Sequence, residues 1–161
     1  MNAETLLEKA KTLGVKIIVA ESLTGGLLSA ELVSVPGASQ SFLGSVVAYN
    51  SSLKHELLGV SEELLQRAGA VNTDVALQMA IGAREIATAS EVADARNILA
   101  IATTGVAGPD TQDGAPVGKV FVAVTFSDFE QVAEFQFEGD RAAIRAQAVN
   151  AAIAAGVGAL S

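Results

Sequence analysis

The sequence predicts a three-layer α/β/α fold around a mixed, mostly parallel sheet of about five strands. Short apolar, β-branched runs alternate with segments of helical periodicity, the pattern of strands joined by crossover helices. Val120 to Phe126 is apolar at every position but Thr125, as in a strand buried on both faces. Ala133, Phe135 and Phe137 alternate with Glu134, Gln136 and Glu138, a strand with one face in water. The four residues Ser127 to Glu130 between these two runs predict a hairpin, which makes the sheet mixed.

Leu6, Ala10 and Leu13 stand at helical spacing and predict a helix over 3–13, ended by Gly14. Val15 to Ala20 reads as a buried strand, Ser22 to Gly26 as a turn and Leu27 to Val33 as a helix. Pro36 and Gly37 break the chain. Leu43 to Tyr49 reads as a strand, Ser51 to Leu58 as a short helix, and Ser61 opens another. Asn72 or Thr73 caps a long helix from about 74 to 89, with Val75, Met79, Gly82 and Ile86 as its apolar stripe. Ile98 to Thr104 is a strand, Gly105 to Gly118 a loop, and Asp140 caps a last helix through Ala155.

With 161 residues the chain suits one domain, read over 1–161, and buries roughly 70% of its unfolded surface. Aromatics are 4% of a chain that is 50% hydrophobic, so the core is Ala, Val, Leu and Ile. A net charge of −8 and a pI near 4.5 argue against nucleic-acid binding. With no cysteine and one histidine, His55, thiolate nucleophiles and two-histidine metal sites are excluded, and no metal or cofactor is expected. Glu4 and Glu8 interrupt the first thirteen residues, which do not read as a signal peptide. No run of about 20 apolar residues appears, so no membrane partner is expected and a cytoplasmic protein is.

Sites in such sheets lie beyond the C-terminal ends of the parallel strands. The first candidate there is Glu21-Ser22-Leu23-Thr24-Gly25-Gly26. Ser22 is a nucleophile displayed at a strand–helix turn, or Ser22 or Thr24 merely caps the helix and the glycines make room. Gly25 and Gly26 let a ligand approach the backbone, and the helix N-terminus offers amides to an anion. The second is Tyr49-Asn50-Ser51-Ser52-Leu53-Lys54. A serine nucleophile needs a base, and Lys54 can serve only if its amine is neutral. The alternative is a surface lysine beside a half-buried tyrosine. His55 follows Lys54 directly, points elsewhere on a helix and reads as a surface residue. The third runs from Thr103-Thr104-Gly105 to Gly108-Pro109-Asp110, an oxyanion or phosphate loop or an ordinary turn. In the fourth, Gly139-Asp140-Arg141, Arg141 is a phosphate ligand or, like Arg145 one turn later, a solvated side chain.

Six motifs stand in the order and spacing of the CinA C-terminal domain family, which this chain resembles over roughly residues 4–156. They are Glu21-Ser22-X-Thr24-Gly25-Gly26, Tyr49-Asn50-X-X-X-Lys54, Gly69-Ala70-Val71, Thr104-Gly105-Val106-Ala107-Gly108-Pro109, Pro116-Val117-Gly118 and Gly139-Asp140-Arg141. The resemblance implies a nicotinamide-nucleotide amidohydrolase that turns nicotinamide mononucleotide into nicotinate mononucleotide and ammonia. It implies Ser22 as nucleophile, assisted by Lys54 and Tyr49. Thr24, Gly25, Gly26, Asn50, Thr104, Gly105, Gly108 and Arg141 are then the candidate substrate-binding residues. A homo-oligomer, a dimer, is expected. Many members carry a molybdopterin-binding-like domain ahead of this one, and this chain is expected to lack it. The chain departs from the family in a short Asp110 to Pro116 loop and in Lys119, where threonine is usual, and both are expected to alter the rim of the site. The rival readings are a non-catalytic nucleotide-sensing or protein-interaction module on the same fold, and an amidase for another small amide.

Overall fold

The order of the strands brings the candidate loops together. A computed structural model describes residues 2–90 and 93–161. Its strands are β1 (Lys16–Glu21), β2 (Phe42–Val47), β3 (Ile98–Gly105), β4 (Lys119–Phe126) and β5 (Phe129–Gln136), arranged β2-β1-β3-β4-β5. β1 runs parallel to both β2 and β3, and β4 is antiparallel to β3 and β5. Four strands therefore point one way, with β1 at the centre of the parallel part. The chain leaves β1, β2 and β3 at one edge.

The helices are α1 (Ala3–Leu13), α2 (Leu27–Val33), α3 (Ser51–Leu58), α4 (Glu62–Ala68), α5 (Thr73–Ala89) and α6 (Arg141–Ala159). Successive strand residues feed opposite faces of the sheet. Ile17, Val19, Leu99, Ile101, Val122 and Val124 pack on α1, α2 and α6 through Leu6, Leu28, Leu32, Ile144 and Ile153. Ile18, Ala20, Ala100, Ala102 and Ala123 pack on α5 through Val75, Ala76, Met79, Ala80 and Ala83. Alanine against alanine on this second face lets α5 lie close to the sheet. Both layers are full, so the fold is the three-layer α/β/α sandwich that the periodicity predicts. No helix of the described residues is long and apolar enough to cross a membrane.

Several boundaries differ from the sequence reading, each for a local reason. β2 stops at Val47, so Tyr49 lies in the connection to α3 and does not end a strand. The hairpin is tighter than four residues: Phe126 pairs with Phe129, and Ser127 takes a φ of 51°. Ile86 is 40% exposed, and the buried stripe of α5 runs instead through Ala83 and Ala87. α6 continues to Ala159 because Ala152, Ile153, Gly156 and Val157 keep its inner face buried.

Gly82 sets how near α3 comes to α5. A Cβ there would lie 1.9 Å from the Leu58 carbonyl oxygen at the end of α3. Gly82→Ala is therefore expected to push α3 outward and destabilise the fold by about 2–3 kcal/mol, as overpacked sites do. Urea unfolding measures this, and a change under about 0.5 kcal/mol would mean that the two helices separate freely.

Candidate active site

Ser22 follows the last residue of β1. Its N–H donates to the Thr103 carbonyl at 3.0 Å, which carries the β1–β3 pairing one step past the strand. Leu23 to Gly26 then turn into α2. A helix of seven residues is not stable by itself. Two apolar side chains, Leu28 and Leu32, and one carboxylate hold it. Gly26, at φ 95°, precedes α2 and supplies no side-chain cap. The cap comes from Glu21, which is fully buried. Its carboxylate accepts from Gly26 N at 3.0 Å, Leu28 N at 3.1 Å, Ser29 N at 3.0 Å and the Ser29 hydroxyl. A carboxylate at the positive end of a helix is stabilised by the dipole and by these bonds.

This arrangement corrects one expectation. The amides of Gly26, Leu28 and Ser29 are occupied by Glu21, and those of Gly25 and Leu27 by the carbonyls of Ser22 and Thr24. The N-terminus of α2 therefore does not offer them to a ligand anion. Thr24 is fully buried, and its hydroxyl shares a 2.8 Å hydrogen bond with that of Thr103. Gly25 and Gly26 both have positive φ and shape the bend.

Lys54 arrives from the neighbouring strand end. Asn50 starts α3 by accepting from Ser52 N at 2.9 Å, and Lys54 and Leu58, one turn apart, form its buried face. Lys54 is 1% exposed and Ser22 7%. Lys54 Nζ has three partners: Ser22 Oγ at 2.9 Å, the Ala48 carbonyl at 2.8 Å and the Tyr49 carbonyl at 3.2 Å. Carbonyls accept only. A neutral amine would give its two N–H groups to them and turn its lone pair to the Ser22 hydroxyl. Burial favours that form and lowers the Lys54 pKa from 10.5 to about 8, against the opposing charge of Asp113. An unfolded lysine keeps its proton to about 10.4. The buried ammonium thus weighs against the fold below about pH 8, and this penalty lifts as pH rises from there toward 10.4.

A cavity of about 250 Å³ opens at this pair, lined by Ser22, Tyr49, Asn50, Ser51 and Gln112. A larger hollow of about 540 Å³ beside Pro36 and Phe42 holds no nucleophile with a base. The Tyr49 ring is 59% exposed, and its hydroxyl accepts from Arg141 at 2.9 Å, so Tyr49 meets Lys54 through its carbonyl. Arg141 also donates to the Gly108 carbonyl at 2.7 Å and so ties the loop after β3 to Tyr49. Thr104 is buried and donates to the Ala70 carbonyl at 2.7 Å, which fixes the Gly69–Ala70 turn. Gly105 closes β3, where a Cβ would lie 2.6 Å from the Lys119 carbonyl. Lys119 pairs with Glu134 and does not line the cavity, which corrects its expected place at the rim. The 110–116 loop does reach the site, through Gln112. His55 is exposed, and its Nδ1 bonds the Val60 carbonyl at 2.8 Å. Among the described residues no three His, Asp or Glu side chains are grouped as metal ligands would be.

Sequence reasoning missed Glu21, Gln112, Asp113 and the contacts of Arg145. Only Glu21 left a signal, since an acidic residue ending a buried strand must find donors. Asp113 accepts from Ala70 N at 3.1 Å, a contact across 43 residues that no spacing announces.

The CinA C-terminal domain matches residues 1–157. A CinA-like protein of Solibacter usitatus is 44% identical over 130 residues, 80% of this chain and 29% of that protein. A competence-damage inducible protein of Bacillus pumilus is 43% identical over 136 residues, 84% of this chain and 31% of that one. The chain spans about a third of the length of these relatives. A CinA superfamily protein from Klebsiella pneumoniae superimposes with a TM-score of 0.89 at 31% identity, covering 98% of this chain and 94% of that chain. The competence/damage inducible protein of Agrobacterium tumefaciens does so at 0.87 and 32%, covering 98% and 92%.

Replacing Glu21 by Gln would aim an NH2 group at the amides that the carboxylate now serves. Glu21→Gln is expected to destabilise the fold by about 3 kcal/mol, read from thermal or urea unfolding. Unchanged stability would mean that the carboxylate does not hold α2.

Proposed function

We propose that this chain, which belongs to the CinA C-terminal domain family, hydrolyses the carboxamide of nicotinamide mononucleotide with Ser22 as nucleophile and Lys54 as base. The observation that carries this reading is the 2.9 Å contact between Lys54 Nζ and Ser22 Oγ, in a site where two carbonyls occupy the remaining N–H groups of the amine. Nucleophile and base within hydrogen-bond reach, with the base oriented by further groups, is the arrangement that activates a serine. The substrate follows from the resemblance of the six motifs, and the polar cavity at Ser22 suits a small amide.

In the proposed reaction Lys54 takes the Ser22 proton as Oγ bonds to the carboxamide carbon. The carbonyl electron pair moves onto oxygen, and backbone amides of the turn after Ser22 receive that charge. The oxygen reforms its double bond, the C–N bond breaks, and Lys54 returns its proton to the leaving nitrogen, which departs as ammonia. Water then attacks the ester and gives its proton to Lys54. Ser22 takes the proton back as nicotinate mononucleotide leaves. Tyr49 holds Lys54 through its carbonyl. Arg141, with N–H groups left beyond those it gives to Gly108 and Tyr49, is the proposed phosphate ligand at the rim.

Ammonia release from nicotinamide mononucleotide tests this. Ser22→Ala is expected to lose at least about a thousandfold in kcat while remaining folded. Lys54→Arg is expected to be nearly as impaired, because a guanidinium stays protonated. Wild-type kcat/KM is expected to rise with pH and level off above about 8, where the amine is neutral, and this limb is expected to vanish in Lys54→Arg. Free nicotinamide is expected to react poorly, because the phosphate helps to place the amide. Near-normal turnover by Ser22→Ala would sink the reading.

A further inference from the structure

Arg145 stands one turn into α6, does not line the cavity, and takes no part in the proton transfers. Its guanidinium nevertheless grips the turn that displays Ser22. Nε donates to the Leu23 carbonyl at 2.9 Å and a terminal nitrogen to the Thr24 carbonyl at 2.7 Å. Two bonds from one planar fork onto successive carbonyls fix both peptide units in direction as well as place.

The hydrogen bonds of this turn leave two N–H groups over. Ser22 N donates to Thr103, Gly25 N to Ser22 and Leu27 N to Thr24, while Gly26 N and Leu28 N donate to Glu21. From Ser22 to Leu28, only the N–H groups of Leu23 and Thr24 have no acceptor among the described residues. They stand one and two residues beyond the nucleophile. Each belongs to a peptide unit whose carbonyl accepts a hydrogen bond, Ser22 O from Gly25 N and Leu23 O from Arg145. A peptide whose oxygen accepts from a cation is polarised, and its N–H becomes the better donor.

We propose that Arg145 is a positioning residue for the Ser22 reaction, holding the turn so that the N–H groups of Leu23 and Thr24 receive the oxyanion. The proposal rests on the reading of Ser22 as nucleophile. As the Ser22 Oγ–carbon bond forms, the carbonyl electron pair moves to oxygen, the proton goes to Lys54, and the two amides bond the new charge. Arg145 acts through these amides alone.

Two assays on the whole chain test it: ammonia release from nicotinamide mononucleotide, and the 4-nitrophenol burst from 4-nitrophenyl acetate, which reports Ser22 acylation without the nucleotide. Arg145→Ala is expected to lower kcat and the burst rate roughly 100-fold, the scale of a lost oxyanion donor. KM is expected to stay within about threefold of wild type. The pH limb is expected not to move, since Lys54 keeps its three partners. Added guanidinium is expected to restore part of the Arg145→Ala activity and none of that of Ser22→Ala. Arg145→Lys, which keeps a cation but not the fork, serves where the alanine variant does not fold, and is expected to lose about tenfold in kcat at unchanged KM. Wild-type kcat in either Arg145 variant, with Ser22→Ala inactive, would overturn the proposal and leave the nucleophile standing. Full activity of Ser22→Ala would instead overturn the reading on which it rests.

Discussion

A neutral amine removed from water needs a partner for its lone pair and for each N–H, and Lys54 Nζ has them in Ser22 Oγ and the carbonyls of Ala48 and Tyr49. These groups come from two strand ends and one helix, so the condition constrains the whole sheet. β1 must lie beside β2 for Ser22 to face Ala48, and Ala48 N–H donates to the Glu21 carbonyl at 2.9 Å, which extends the parallel pairing to that point. α3 must begin directly after β2 for its first turn to carry Lys54 inward. Gly82 must lack a side chain for α3 to close on α5. The alanines of the second sheet face let α5 lie close to the sheet, where its Gly82 meets the end of α3.

Charge around the serine is arranged in opposed pairs of effects. Glu21 lies one residue before Ser22, where a bare carboxylate would favour protonated Lys54. Its four donors answer that charge locally and hold α2. Asp113 favours the ammonium as well, but it is tied to Ala70 N at 3.1 Å in the facing turn, and desolvation outweighs it at Lys54. The net charge of −8 acts in the same direction as Asp113, through solvent that screens it. Burial, the largest local influence, therefore sets the state of the amine.

Much of this was legible in the sequence. The buried apolar runs of β1 and β3, the helical stripes, Ser61, Asn72 and Asp140 as caps, and the convergence of three loops all follow from local patterns. Ser22 and Lys54 stood out because a serine at a strand–helix turn and a lysine one turn into the helix after the neighbouring strand are chemically complementary. Other features needed the third dimension. Tyr49 read as a strand end that assists Ser22, yet its ring turns outward to Arg141 and its carbonyl turns inward to Lys54. Backbone groups leave no trace in residue type. Arg145 read as a solvated side chain because its carbonyl partners lie more than 120 residues away. Ser127 adopts a positive φ that composition assigns to glycine or asparagine, so the hairpin came out too long. The amides at the start of α2 read as free because the one signal, an acidic residue ending a buried strand, says that Glu21 needs donors but not which ones.

Burial that brings the pKa of the Lys54 amine down to about 8, so that a neutral lone pair faces Ser22 at mildly alkaline pH, is the condition on which the proposed chemistry depends. The most direct measurement is an NMR titration of the Lys54 Cε and Nζ signals in the protein labelled at lysine, assigned by comparison with Lys54→Arg. The expected midpoint is near pH 8, well below the ordinary lysine value of about 10.4. A midpoint at the ordinary value of about 10.4 would contradict it, since the amine would then be an ammonium with no lone pair to turn toward the serine.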